Sequence, residues 1–290
     1  MDSGKSLDKH IQKSARFGAF LFIIFFLATT SELTAGVLVA PTSVILSDKK
    51  RTGRLTVQNP TDRPKQVQIS FSFGVPVSDS AGNIRLNLQD SAVTDERSAL
   101  DWIKAFPKKM ILEPNTSQVV RFLARPPKDL ADGEYWARIM VRSQEGETSI
   151  PLPTEDDKIT TKLNMIMQTA IVLKYRSGNL ISKLEVRGTE VFSTDTMVTA
   201  FIDMVNRGNV SYVGILDCRL VDAKGREISS NDIDLAVYRE LKRKVRLPIF
   251  SGNYAKPFKL EVSISTEGRK DIAAEDLIAG NRIEYSTTVP

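Results

Sequence analysis

The side chains that carry most enzyme chemistry are nearly missing from this sequence. It holds one histidine, His10, and one cysteine, Cys218. His10 lies in a basic leader, so residues 37–290 contain no histidine. That removes Ser–His and Cys–His catalysis and every histidine-based metal site. A Ser–Lys nucleophile or a carboxylate pair stays open, but nothing in the sequence draws such residues together. There is no glycine-rich phosphate loop, CxxC pair or acidic metal loop. The expectation is a protein without enzyme activity and without a cofactor. Cys218 cannot form an internal disulfide. Its stretch alternates, with Ile215 and Asp217 against Leu216 and Cys218, so it reads as a small buried side chain rather than a reactive thiol.

What remains is the chemistry of recognition. Thr160–Arg176 (TTKLNMIMQTAIVLKYR) is the longest candidate strand. Successive strand side chains point to opposite faces, so Leu163, Met165 and Met167 share one side and Asn164, Ile166 and Gln168 the other. Such an apolar row either enters a core, the usual fate, or is lent with its backbone donors to another protein, the β-augmentation mode. The formal charge of +5 leaves +4 on residues 37–290, because the leader has four basic and three acidic residues. Basic residues are scattered except at Arg239–Arg246 (RELKRKVR). Leu241 and Val245 within that cluster mark a strand with a solvated charged face rather than a nucleic-acid site.

The elements that must position these residues are short strands. Residues 1–36 stand apart: Lys5, Lys9, Lys13 and Arg16 precede the apolar run Phe17–Ala28, and the small residues of SELTAG follow. This is the pattern of a secretory signal cleaved near Ala35 or Gly36, the alternative being an uncleaved anchor. An exported chain with a single cysteine suits the periplasm of a Gram-negative bacterium. The remaining 254 residues fit two domains, 37–176 and 177–290. Each shows alternating strands broken by turn residues, which predicts an all-β protein of two Ig-like sandwiches. In Val37–Leu46, Pro41 would interrupt a ladder and suits an edge strand that switches partners or kinks. Gln144–Lys158 (QEGETSIPLPTEDDK) reads as a mobile acidic loop. In the second half, Ile181–Val186, Met197–Asn206, Val213–Val221, Val237–Pro248, Phe258–Ser265 and Arg282–Thr287 are the candidate strands.

Four segments, in this order, resemble the periplasmic pilus-chaperone family, the PapD-like proteins. They are LTVQNPTDRPKQVQI (Leu55–Ile69), MILEPNTSQVVRFL (Met110–Leu123), DGEYWARIMV (Asp132–Val141) and KLNMIMQTAIVLKYR (Lys162–Arg176). The resemblance covers 37–176, and the second half only in architecture. It implies two Ig-like domains that bind exported pilin-like subunits, with an outer-membrane usher as a further partner and no small-molecule substrate. It also implies donor-strand complementation, in which the long strand completes the subunit's open sandwich. Leu163, Met165 and Met167 fall on the groove-filling positions.

The family grips the subunit's C-terminal carboxylate with an arginine on the first strand and a lysine late in the long strand. This sequence departs there, with Ser43 and Val172 at the matching positions. Lys174, two residues on and on the same face, either substitutes as a subunit-binding cation or is a solvent-exposed charge. Glu134 and Arg176 match an inter-domain ion network, whose second-domain aspartate aligns with Asn253. The implied function is a chaperone-like protein of pilus or surface-subunit assembly that donates a strand. The alternative is a structural adaptor of the cell envelope that keeps the sandwiches without donating.

Overall fold

The computed structural model describes residues 36–89, 95–146 and 165–290. The regular structure of the described residues is almost all strand. Those of the first half are β1 (Leu38–Ala40), β2 (Ser43–Ser47), β3 (Thr52–Gln58), β4 (Lys65–Ser78), β5 (Ile84–Gln89), β6 (Ile103–Phe106), β7 (Lys109–Leu112), β8 (Ser117–Ala124), β9 (Gly133–Glu145) and β10 (Ile166–Ser177). The second half supplies β11 (Leu184–Ser193), β12 (Met197–Asn206), β13 (Tyr212–Val221), β14 (Glu227–Val237), β15 (Glu240–Pro248), β16 (Lys259–Ser265) and β17 (Ile283–Thr288). Among the described residues no helix is long and apolar enough to cross a membrane.

The first sandwich packs a sheet of order β1-β3-β8-β6 on one of order β2-β10-β9-β4-β5, with β7 also paired to β4. Alternation produces this arrangement directly. Leu55 and Val57, Val67 and Ile69, Val120 and Phe122, Ile139 and Val141, and Ile171, Leu173 and Tyr175 all turn into one core. Pro41 stands where the chain changes sheets: β1 pairs with β3, and β2 pairs in parallel with β10. The second sandwich packs β11-β12-β15 on β14-β13-β16-β17. Its core includes Val198, Ile202, Leu216, Cys218, Leu241, Val245 and Leu260. Residues 37–290 form one compact unit.

Several strand expectations shift. The longest described strand is β4 with 14 residues, running through Gly74 and Pro76 to Ser78, whereas β10 has 12. Residues 160–164, including Leu163 and Asn164, lie outside the described residues, as do the leader through residue 35 and most of the acidic loop. The expected strand at Ile181–Val186 begins at Leu184 and continues to Ser193. β14 (EISSNDIDLAV) was not anticipated. It is an edge strand paired only to β13 among the described residues, and polar side chains at an edge dilute the apolar signal.

The β4–β5 hairpin reaches across to the second sandwich. Its turn holds Gly82 at φ 70°, where a residue with a side chain is strained. The backbone N–H of Lys242 donates to Ser78 Oγ at 2.8 Å, and that of Lys244 donates to the Gly82 carbonyl at 3.2 Å. Within its sheet β15 pairs with β12, so the hairpin supplies acceptors to a strand edge that would otherwise face water. The Arg239–Arg246 cluster lies largely on β15. Leu241, Val245 and Leu247 turn inward, while Lys242 and Lys244 lie over the ring of Phe201 on the outer face.

Candidate functional site

β10 changes character along its length. From Ile171 its odd-numbered residues, Ile171, Leu173 and Tyr175, enter the core of the first sandwich. Met165 and Met167 have the same parity, so they continue the core-facing row beyond the place where the core ends. They are 52% and 41% exposed, and Ile166 on the opposite face is 49% exposed. Leu163 lies outside the described residues. β9 pairs with β10 along its whole length, from Ile166↔Gln144 to Ser177↔Gly133. On the other side β2 pairs only from Val172↔Ser43 to Arg176↔Ser47. Among the described residues nothing pairs that side of Ile166–Ile171. The segment therefore presents unpaired backbone groups beside large exposed apolar side chains.

The even-numbered residues past the open edge face the second sandwich. Val172, Lys174 and Arg176 line a cleft of about 280 Å³ with Ser43, Ser211 and Tyr238. The expectation of a solvent-exposed Lys174 is corrected, since it is 5% exposed. Its ammonium lies 3.1 Å from Glu134 Oε1, donates to Ser211 Oγ and sits 5.0 Å from the centre of the Tyr238 ring. A buried lysine needs a counter-charge, and Glu134 on β9 provides it.

Glu134 is fully buried and accepts from both sandwiches. Arg176 Nε donates to its Oε2 at 3.0 Å, and Trp136 Nε1 donates to its Oε1 at 2.8 Å. From the second sandwich, Ser211 donates through its hydroxyl at 2.6 Å and its N–H at 3.3 Å. Burial alone would push this carboxyl up. The charges of Lys174 and Arg176, with the hydrogen bonds from Ser211 and Trp136, bring it down to about 2. Arg176 also donates to the Asp276 carbonyl at 2.6 Å.

Glu134 and Arg176 thus bridge the two sandwiches, but the second-domain partner read from the sequence is wrong. Asn253 is exposed, and its carbonyl accepts from Arg226 in the loops beside β16. Ser211 and the Asp276 backbone take the place expected for it. Aromatic packing reinforces the contact: Trp136 and Tyr238 meet edge to face at 5.0 Å, and Phe73 packs against Trp136. Arg138 donates to the Gly74 carbonyl at 2.9 Å and to Tyr238 Oη at 3.4 Å.

Sequence reasoning placed Glu134 and Arg176 but missed Ser211, Trp136 and Tyr238. Ser211 lies in the short connection between β12 and β13, where the sequence NRGNVS has turn composition and nothing that marks one serine as a buried partner. Tyr238 falls between two strands, at a junction that the missed β14 concealed.

No protein-family model and no curated protein matches the chain. Solved structures do match over most of its length. The Pseudomonas aeruginosa CupB2 chaperone is 13% identical, covering 87% of this chain and 100% of its own, with a TM-score of 0.38. The Salmonella enterica SafA pilin in complex with the SafB chaperone gives 15% identity, 86% and 95% coverage and a TM-score of 0.40. The periplasmic chaperone SfaE gives 12% identity, 86% and 98% coverage and a TM-score of 0.38. At such identities and scores no residue role passes from those proteins to this chain. What the chain resembles, over most of its length, is the periplasmic pilus chaperones.

Proposed function

We propose that this protein is a non-enzymatic periplasmic chaperone-like protein that holds an exported subunit by adding a strand to the open edge of β10. The supporting observation is the segment Ile166–Ile171, unpaired on one side among the described residues and flanked by exposed Met165, Ile166 and Met167. A subunit with an incomplete sandwich exposes an apolar groove and unpaired backbone groups. Such an edge satisfies both needs at once. The methionine row adapts to an irregular groove, and its parity lets it extend a core that begins at Ile171. Leu163 belongs to the same row by sequence.

The alternative, a non-donating structural adaptor, draws on one observation. Lys174, the cation nearest the expected anchor position, is already engaged by Glu134 and Ser211. In that reading Lys174 belongs to the bridge between sandwiches and β10 is only a structural strand.

The test compares the native protein with a Met165→Glu, Met167→Glu variant in periplasmic capture of an exported subunit. Both residues are exposed, so the variant is expected to keep its fold, with a stability change within about 0.5 kcal/mol. A charge driven into an apolar groove should abolish capture. The same subunit recovered equally by both proteins would transfer the case to the adaptor.

A further inference from the structure

The open edge of β10 leads into the cleft. From Val172 onward that edge is taken by β2, which begins at Ser43. A strand added along Ile166–Ile171 is therefore collinear with β2, and its leading end meets Thr42 and Ser43 at the cleft mouth. The charge there decides what that end can be. Lys174 and Arg176 share Glu134. Arg269, the third cation of the lining, holds Asp271 at 2.6 Å and Asp234 at 3.4 Å. Asp276 lines the cleft as well. Three cations are thus met by three carboxylates, and Asp276, which reaches Arg176 only through its backbone carbonyl, adds a fourth negative charge to the lining. Much of the remaining lining is apolar, including Ile45, Val172, Val213 and Leu277.

A carboxylate entering this space would shed water and find every cation already engaged. An uncharged side chain would meet apolar walls in a space near the lower end of ligand-sized clefts, which run from roughly 300 to 1,000 Å³. Resting on the strand-addition reading above, we infer that the cleft takes an uncharged apolar stretch of the guest chain, and that the guest strand continues past Ser43 instead of ending there in a free carboxylate. The specificity sought is for an internal segment of the partner.

Fluorescence anisotropy on residues 37–290 tests this with defined probes. One is a fluorescein-labelled decapeptide of alternating valine and threonine ending in a free carboxylate. A second is the same peptide amidated, and a third carries three further apolar residues before the amide. The expected result is that the amide binds at least as tightly as the acid, that the extended probe binds severalfold more tightly still, and that the Met165→Glu, Met167→Glu variant loses all three. Tenfold or tighter binding of the acid, abolished by Lys174→Met, would overturn the inference while leaving strand addition intact. If no probe binds the native protein, the strand-addition reading fails and the inference falls with it.

Discussion

Glu134, fully buried, accepts from five donors on four residues, and its ionisation is bound up with folding. Its folded value of about 2 lies below the ordinary 4.5, so the fold favours the charged form. The resulting stability is complete above about pH 4.5, declines as pH falls toward about 2, and is absent below. The shift corresponds to about 3 kcal/mol. Replacing Glu134 by Gln keeps the shape but leaves Lys174 and Arg176 buried without their counter-charge. It should cost about 3–5 kcal/mol near pH 7. Urea midpoints for both proteins at about pH 7 and about pH 3 check this, with the gap expected to narrow in acid. An equal gap at both values would remove Glu134 from the account. This chemistry was half legible. The pairing of Glu134 with Arg176 came through family resemblance, but Lys174 in a strand looks like any outward charge. Its burial depends on Glu134, remote in sequence, and on Ser211 from the other sandwich.

Among the elements, the β4–β5 hairpin shows how a turn secures a neighbouring strand edge. A Cβ on Gly82 would stand 2.9 Å from Lys244 Cβ and 3.0 Å from the Lys244 backbone nitrogen, at a φ that disfavours any side chain. Gly82→Val should therefore cost about 1–3 kcal/mol through strain and displacement from β15. A lowered melting temperature, with faster amide exchange at Lys242 and Lys244, is the expected readout. Unchanged exchange there would mean that the hairpin does not hold the edge. Asp79–Asn83 (DSAGN) has the composition of a hairpin tip, and of the two fates that suit Pro41, a change of partner or a kink, the chain takes the change of partner. The length of β4 was not legible, because Gly74 and Pro76 look like breakers until the hairpin is seen to carry the strand beyond the core. β14 escaped for the complementary reason: one row of its side chains is largely polar, and its alternation is blurred by serine and asparagine.

The whole molecule is two sandwiches with separate cores, joined by a third small cluster of Phe73, Trp136 and Tyr238. The two-sandwich architecture was legible because alternation and turn chemistry repeat along the chain. The contacts joining the sandwiches were not, since each is made by residues that look unremarkable in their own strand. Separate cores also give the lone thiol a use. Cys218 is fully buried in the second core, and burial, with the nearby carboxylates of Asp217 and Asp232, pushes it up to about 12. A thiol reagent should consequently reach it only when that core opens. Its reaction should run on the order of a thousandfold or more slower in native buffer than in urea. With no second cysteine to compete, the labelling rate is a chemical clock for one half of the molecule. Fast labelling without denaturant would mean that the second core breathes independently of the first. Timed with and without a bound subunit, the same clock would tell whether docking at β10 is felt on the far side of the cleft.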